Sequence, residues 1–76
     1  MAIKKIVVPA DKIQVGHIVD NRNATNPIEV LRVNAWSDHG KVKYQIELGR
    51  NGEVDFEVEL NQDNSLTYTV VDNSTE

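Results

Sequence analysis

The chain has no cysteine, and that absence removes two ways of stabilising a small domain. No disulfide framework can staple it, and no thiolate cage can hold a structural zinc ion. Aromatic residues are scarce: the 76 residues include one tryptophan, one phenylalanine and two tyrosines. A domain near this length buries only about 60% of the surface its unfolded chain exposes, so its core nets only about 3–5 kcal/mol. Long apolar runs are missing too. Ile6-Val7-Val8 near the amino terminus is too short for a signal-peptide core and far short of the ~20 residues that span a membrane. A soluble protein is expected, and the lack of cysteine suits a reducing cytoplasm. There is no basic block either. Eight basic residues stand against twelve acidic ones, for a net charge of −4. Non-specific binding to nucleic acid depends on neutralising phosphates, which this composition disfavours. The acidity serves solubility first.

What the chain does have is a period of two. In Lys41-Val42-Lys43-Tyr44-Gln45-Ile46-Glu47-Leu48 the apolar residues share one face and the polar residues the other. The alternation resumes after Gly49-Arg50-Asn51-Gly52 with Glu53-Val54-Asp55-Phe56-Glu57-Val58-Glu59-Leu60. Two half-buried strands flanking a glycine-rich turn predict a hairpin. A two-residue Asn51-Gly52 loop would set Leu48 opposite Asp55, with apolar and charged side chains on the same face. A three-residue loop, Arg50-Asn51-Gly52, instead sets Leu48 opposite Val54, Ile46 opposite Phe56 and Tyr44 opposite Val58. The second register is the expectation, with Gly52 as the left-handed residue.

Upstream, Ile28 to Trp36 starts as an alternating strand and changes parity at Val30-Leu31, which predicts a β-bulge and a bend. Ser37-Asp38-His39-Gly40 is the expected turn into the hairpin, so three strands run as a meander. Ile6-Val7-Val8, His17 to Asp20 and Leu66 to Val71 read as further strands. Ala10 to Ile13 forms at most a single helical turn, and Asn21 to Pro27 is a polar loop. Residues 1–71 make one domain and 72–76 a flexible tail. The expected fold is all-β: a small SH3-like or OB-like, partly open barrel of five to six short antiparallel strands.

Ile13-Gln14-Val15-Gly16-His17-Ile18-Val19-Asp20, followed after a loop by Ile28-Glu29-Val30-Leu31-Arg32-Val33, resembles the opening of SH3-like barrels of the KOW type. The amino-terminal domain of translation elongation factor P is an example. Gly40-Lys41 falls near the hairpin tip, where such factors often carry a functional lysine. The resemblance covers about a third of the chain. It implies a barrel fold and partners among RNA and ribosomal surfaces. Small free-standing barrels of similar appearance also occur in bacteria and phages, and many of them act through protein contacts.

Glu53, Asp55, Glu57 and Glu59 form the sharpest constellation, spaced about 7 Å apart on one face of an extended strand. Their plainest role is a solvated outer face that deters edge pairing. Their functional role is a docking stripe for a basic protein surface or a phosphate mimic, with Lys43 opposite Glu59. Catalytic carboxylates need environments that separate their pKa values, and four alike outward carboxylates lack them. Ser37-Asp38-His39 is a run in sequence, whereas a triad is an arrangement in space. His17 and His39 lack the convergent partners of a metal site. Trp36, at a strand end, serves either as a packing lid or as a binding anchor. Tyr44, Phe56 and Tyr68 have the parity of core residues.

Two readings of function follow. The first is a non-enzymatic, cofactor-free protein-binding module, a regulator, inhibitor or assembly component of bacterial or phage type. It uses Glu53, Asp55, Glu57, Glu59, Lys43 and Trp36. The second is a KOW-like barrel contacting RNA or the ribosome through Arg22, Arg50, Lys41 and Lys43. The marginal core also leaves self-association open as a source of stability.

Overall fold

A computed structural model describes residues 2–23 and 25–72 of the chain. It contains β1 (Ala2–Pro9), a single 3-10 turn (Ala10–Lys12), β2 (Ile18–Asp20), β3 (Ile28–Asp38), β4 (Lys41–Arg50), β5 (Glu53–Asn61) and β6 (Ser65–Asp72). The expected tail lies outside the described residues except for Asp72, whose backbone ends β6. Among the described residues, no helix is long and apolar enough to cross a membrane.

The six strands form one open, mixed sheet in the order β1-β6-β2-β3-β4-β5. The all-β, partly open architecture is as expected, but the pairing is not antiparallel throughout. β6 lies between β1, to which it is antiparallel, and β2, to which it is parallel through Asp20 opposite Thr69. A strand inserted between two strands of opposite direction must run parallel to one of them.

The meander β3-β4-β5 carries two irregularities. In β3, Val30 pairs with Leu48 and Arg32 with Glu47, leaving Leu31 as the extra residue of a bulge. The parity change in the sequence marks this position. The second bulge was not anticipated. Arg50 pairs with Glu53, Gly49 with Val54 and Leu48 with Phe56, so Asp55 is the extra residue. The loop is therefore the two-residue Asn51-Gly52 turn, with φ of 54° and 81°. This is the type I′ geometry that matches the twist of a hairpin. The expected register was displaced by two residues: Ile46 faces Val58 and Tyr44 faces Leu60. Gly49 permits the arrangement because a side chain there would meet the Glu53 carbonyl carbon at 2.6 Å and Leu31 Cδ1 at 2.9 Å. The β3-β4 turn is also tighter than expected. It is His39-Gly40 alone, at φ 52° and 79°, with Ser37 and Asp38 still in the strand.

One face of the sheet gathers the core. Val30 and Ile46 are completely buried near its centre, with Val19, Leu48, Leu60 and Tyr68 around them. Ala10 and Ile13 join this cluster from the connection between β1 and β2. That connection is tied down by the Gly16 amide donating to the Val30 carbonyl and the Val30 amide donating to the His17 carbonyl, both at 2.9 Å. The Ala10 amide donates to the Asn64 carbonyl at 3.0 Å. The sheet stays extended even so. Its radius of gyration is 13.4 Å, against about 11 Å for a compact domain of this length.

Candidate functional site

Counting from the Leu31 bulge fixes which residues look away from the core. Val33 and Ala35 pair with Ile46 and Tyr44 on the apolar side. Arg32, Asn34 and Trp36 therefore alternate onto the polar side, paired with Glu47, Gln45 and Lys43. On the next strand these β4 residues meet Glu57, Glu59 and Asn61. The polar face of the meander is thus three cross-strand rows: Arg32-Glu47-Glu57, Asn34-Gln45-Glu59 and Trp36-Lys43-Asn61.

Electrostatics within these rows is nearly self-contained. Glu47 and Glu57 are directly opposed like charges, a costly pair in isolation. Arg32 Nε lies 3.9 Å from Glu47, and the Gln45 side-chain amide donates to Glu57 at 3.0 Å. Lys43 Nζ sits between Asp38 at 3.2 Å and Glu59 at 3.8 Å. The expected Lys43–Glu59 pairing is present, but on a diagonal, since Lys43 directly faces Asn61. Arg50 lies 3.6 Å from Asp55.

The bulge at Asp55 breaks the expected four-carboxylate stripe. Glu57 and Glu59 keep the polar-face parity. Glu53, paired with Arg50 beyond the bulge, falls on the opposite parity, and Asp55 is the extra residue between the two runs. Four of the six partner-binding candidates, Trp36, Lys43, Glu57 and Glu59, share one face. Trp36 is 39% exposed there, so it is not a buried lid. Phe56 has core parity as expected, yet it is 47% exposed because it sits on an edge strand. Tyr68 is buried, and burial pushes its phenol above its ordinary range.

At Lys43, the cross-strand partner of Trp36, the face opens into a polar groove of about 420 Å³. Asp38, His39, Lys41 and Lys43 line one wall, and Asn61 to Asn64 line the other. The second wall has a reason to hold its shape. The Asn61 amide donates to the Asn64 side chain at 2.8 Å, and the Asn64 amide donates back to the Asn61 carbonyl at 2.9 Å. The Val42 amide donates to the Gln62 side chain at 3.3 Å, which ties this turn to the start of β4. His39, expected as a turn residue, stands at the rim with Nδ1 2.7 Å from Asp38.

The second set of candidates is divided. Lys41 and Lys43 are at the groove end of β4, whereas Arg50 is at its other end, about 20–30 Å along the strand. Arg50 and Arg22 meet there in a smaller cleft of about 130 Å³, with Asp20, Asn23, Asn26 and Ile28. Arg22 is held by Asp20 through side-chain bonds of 2.6–3.1 Å and a backbone bond of 3.0 Å.

No match is found among family models, curated proteins or solved structures.

The Asp20–Arg22 clasp has a pH signature. The Arg22 side-chain bonds, chiefly, hold Asp20 below the usual carboxylate range, against the opposing effect of its burial. A depressed carboxylate stabilises the fold above its unfolded pKa of about 3.9, and that stabilisation is lost as pH falls through the folded value. Asp20→Asn is expected to be less stable than wild type at neutral pH, with the gap closing in acid. Urea midpoints at neutral and acidic pH check this. A gap that persists undiminished at the acid end would show that the carboxylate charge is not its source.

Proposed function

We propose that the protein is a non-enzymatic protein-binding module that works through the polar face of its β3-β4-β5 meander. The observation that carries this reading is Trp36, exposed on the polar face and paired across strands with Lys43, which lines the groove. Tryptophan is the residue most often found as an energetic anchor of an interface, where it supplies large area on a stiff side chain. Here it is presented two residues from the end of the long strand β3, opposite Lys43, which ion pairs with Asp38 and Glu59 already hold in place. Such a surface needs little ordering to bind, and its charges are too well matched to attract partners by net charge alone. The role of the carboxylates is to set orientation around the anchor, as a polar rim does.

The paired state of Arg22 and Arg50, and their distance from Lys41 and Lys43, give the RNA-binding reading no comparable support. A regulator, inhibitor or assembly component of bacterial or phage type is the role that fits a small binding face.

Trp36 is the single tryptophan of the chain, so its fluorescence reports directly on the face. A protein captured from a lysate by the immobilised chain is expected to shift that emission in a direct titration. Trp36→Ala is expected to weaken the same complex at least about tenfold, a loss of ~1.4 kcal/mol or more. The fold should be unaffected, because the side chain is not in the core. Equal capture of every partner by wild type and Trp36→Ala would defeat the proposal.

A further inference from the structure

The two edges of the sheet carry opposite charge. β1, at one end, holds Lys4 and Lys5 and no acidic residue. β5, at the other, holds Glu53, Asp55, Glu57 and Glu59 and no basic residue. The strands are closely matched in length, at eight and nine residues. Each has a strand on one side only, so each presents a row of backbone donors and acceptors along its outer side.

Both edges also leave core-facing side chains half uncovered. Ile6 pairs with the buried Tyr68 on the apolar face, yet it is 41% exposed. Phe56 pairs with the buried Leu48 on that face and is also about half exposed.

We propose that a second copy of this chain pairs its β5 edge with the β1 edge of the first. Charge selects this seam over the alternatives. β1 against β1 would bring lysines together, and β5 against β5 would bring carboxylates together, whereas β1 against β5, with the apolar faces continuous, sets Lys5 on the same side as Glu57 and Glu59. The apolar face then runs on from Ile6 of one copy to Phe56 of the next. Two copies can form two such seams at once, which leaves no free edge, and larger rings or open chains repeat the same contact. The seam shares Glu57 and Glu59 with the Trp36 face, so Lys5 and Trp36, each belonging to one surface alone, separate the two proposals.

Light scattering across a range of concentrations reads the outcome. At low salt the wild-type mass is expected to reach at least double that of the monomer, and added salt should shift the transition to higher concentration. Lys4→Glu/Lys5→Glu and Glu57→Lys/Glu59→Lys are each expected to associate more than tenfold more weakly than wild type. Mixed together, they are expected to regain a doubled mass, since each then offers the other an attractive seam. Circular dichroism confirms that each variant is folded, and Trp36→Ala should retain the wild-type mass. A wild-type mass that stays monomeric overturns the proposal, as does an assembly indifferent to the lysine reversals. Failure of the two folded variants to associate on mixing overturns it equally.

Discussion

Alanine at Gly49 is expected to cost about 3 kcal/mol or more and to leave much of the protein unfolded at room temperature. The reason is steric. Gly49 is buried within β4, where the hairpin bulge brings the Glu53 backbone over it. A Cβ at this position would overlap the Glu53 carbonyl group and press on Leu31 Cδ1 at 2.9 Å. The leucine tip can move, but the carbonyl belongs to the ladder and cannot move without breaking the turn. Overpacking a well-fitted site costs about 1–3 kcal/mol, and a clash with backbone lies at or beyond the upper end. With only about 3–5 kcal/mol in hand, the domain has little reserve. Gly52→Ala is the informative control. Its φ of 81° strains any other residue, yet nothing lies within 4 Å of its would-be Cβ. That substitution is expected to cost only about 1–2 kcal/mol. Urea denaturation of the two variants separates clash from backbone strain. Equal midpoints for Gly49→Ala and wild type would mean that the backbone of Glu53 does not close over this position.

Ile46→Ala is expected to be as severe, for a different reason. Ile46 is completely buried on the central part of β4, between Val33 and Val58. Removing three carbons from such a site costs about 2–5 kcal/mol, from lost burial and the cavity left behind. Ile46→Val should cost only about 0.5–1.5 kcal/mol. Phe56→Ala, at an edge, should fall short of the usual 3–5 kcal/mol for a buried phenylalanine, because half of that side chain already meets solvent. Thermal or urea unfolding ranks the three. If truncating Phe56 proves more damaging than truncating Ile46, the centre of the core lies elsewhere, or the β5 edge is covered in solution.

The places where the sequence predicts structure, and the places where it misleads, share one cause. Alternation reports which face a residue occupies but not which residue it faces. A one-residue slip in the β4-β5 hairpin would turn Leu48, Ile46 and Tyr44 outward and is easily excluded. A two-residue slip keeps every side chain on its face. The expected pairing of Ile46 with Phe56 and the observed pairing with Val58 therefore satisfy the apolar pattern equally well. The deciding signal is Gly49, a glycine inside a strand, which marks close backbone approach or a bulge. The Leu31 bulge was legible because it changes parity in the sequence itself. Trp36 could have been placed on the polar face by counting on from that bulge through Val33 and Ala35. The parallel contact of β2 with β6 had no local signal, because β2 has three residues and its partner lies about fifty residues away. The charge pairs among Arg32, Lys43, Glu47 and Glu59 were only partly legible, since they depend on the register that alternation leaves open.

The position of β6 sets an order of assembly. The hairpin turns of the meander are two residues long, so β3, β4 and β5 find one another with almost no loss of chain entropy. The β1-β6 ribbon joins the two ends of the chain and encloses roughly 55 residues even at its nearest pair, Pro9 and Ser65. Closing a flexible loop of that length costs about 3–4 kcal/mol on the logarithmic scale of loop entropy, before any contact within the ribbon offsets it. Once the meander has formed, most of that loop is already compact, and the remaining search is short. The ribbon is thus a late arrival that depends on the rest of the sheet, and it carries the lysine-bearing edge with it.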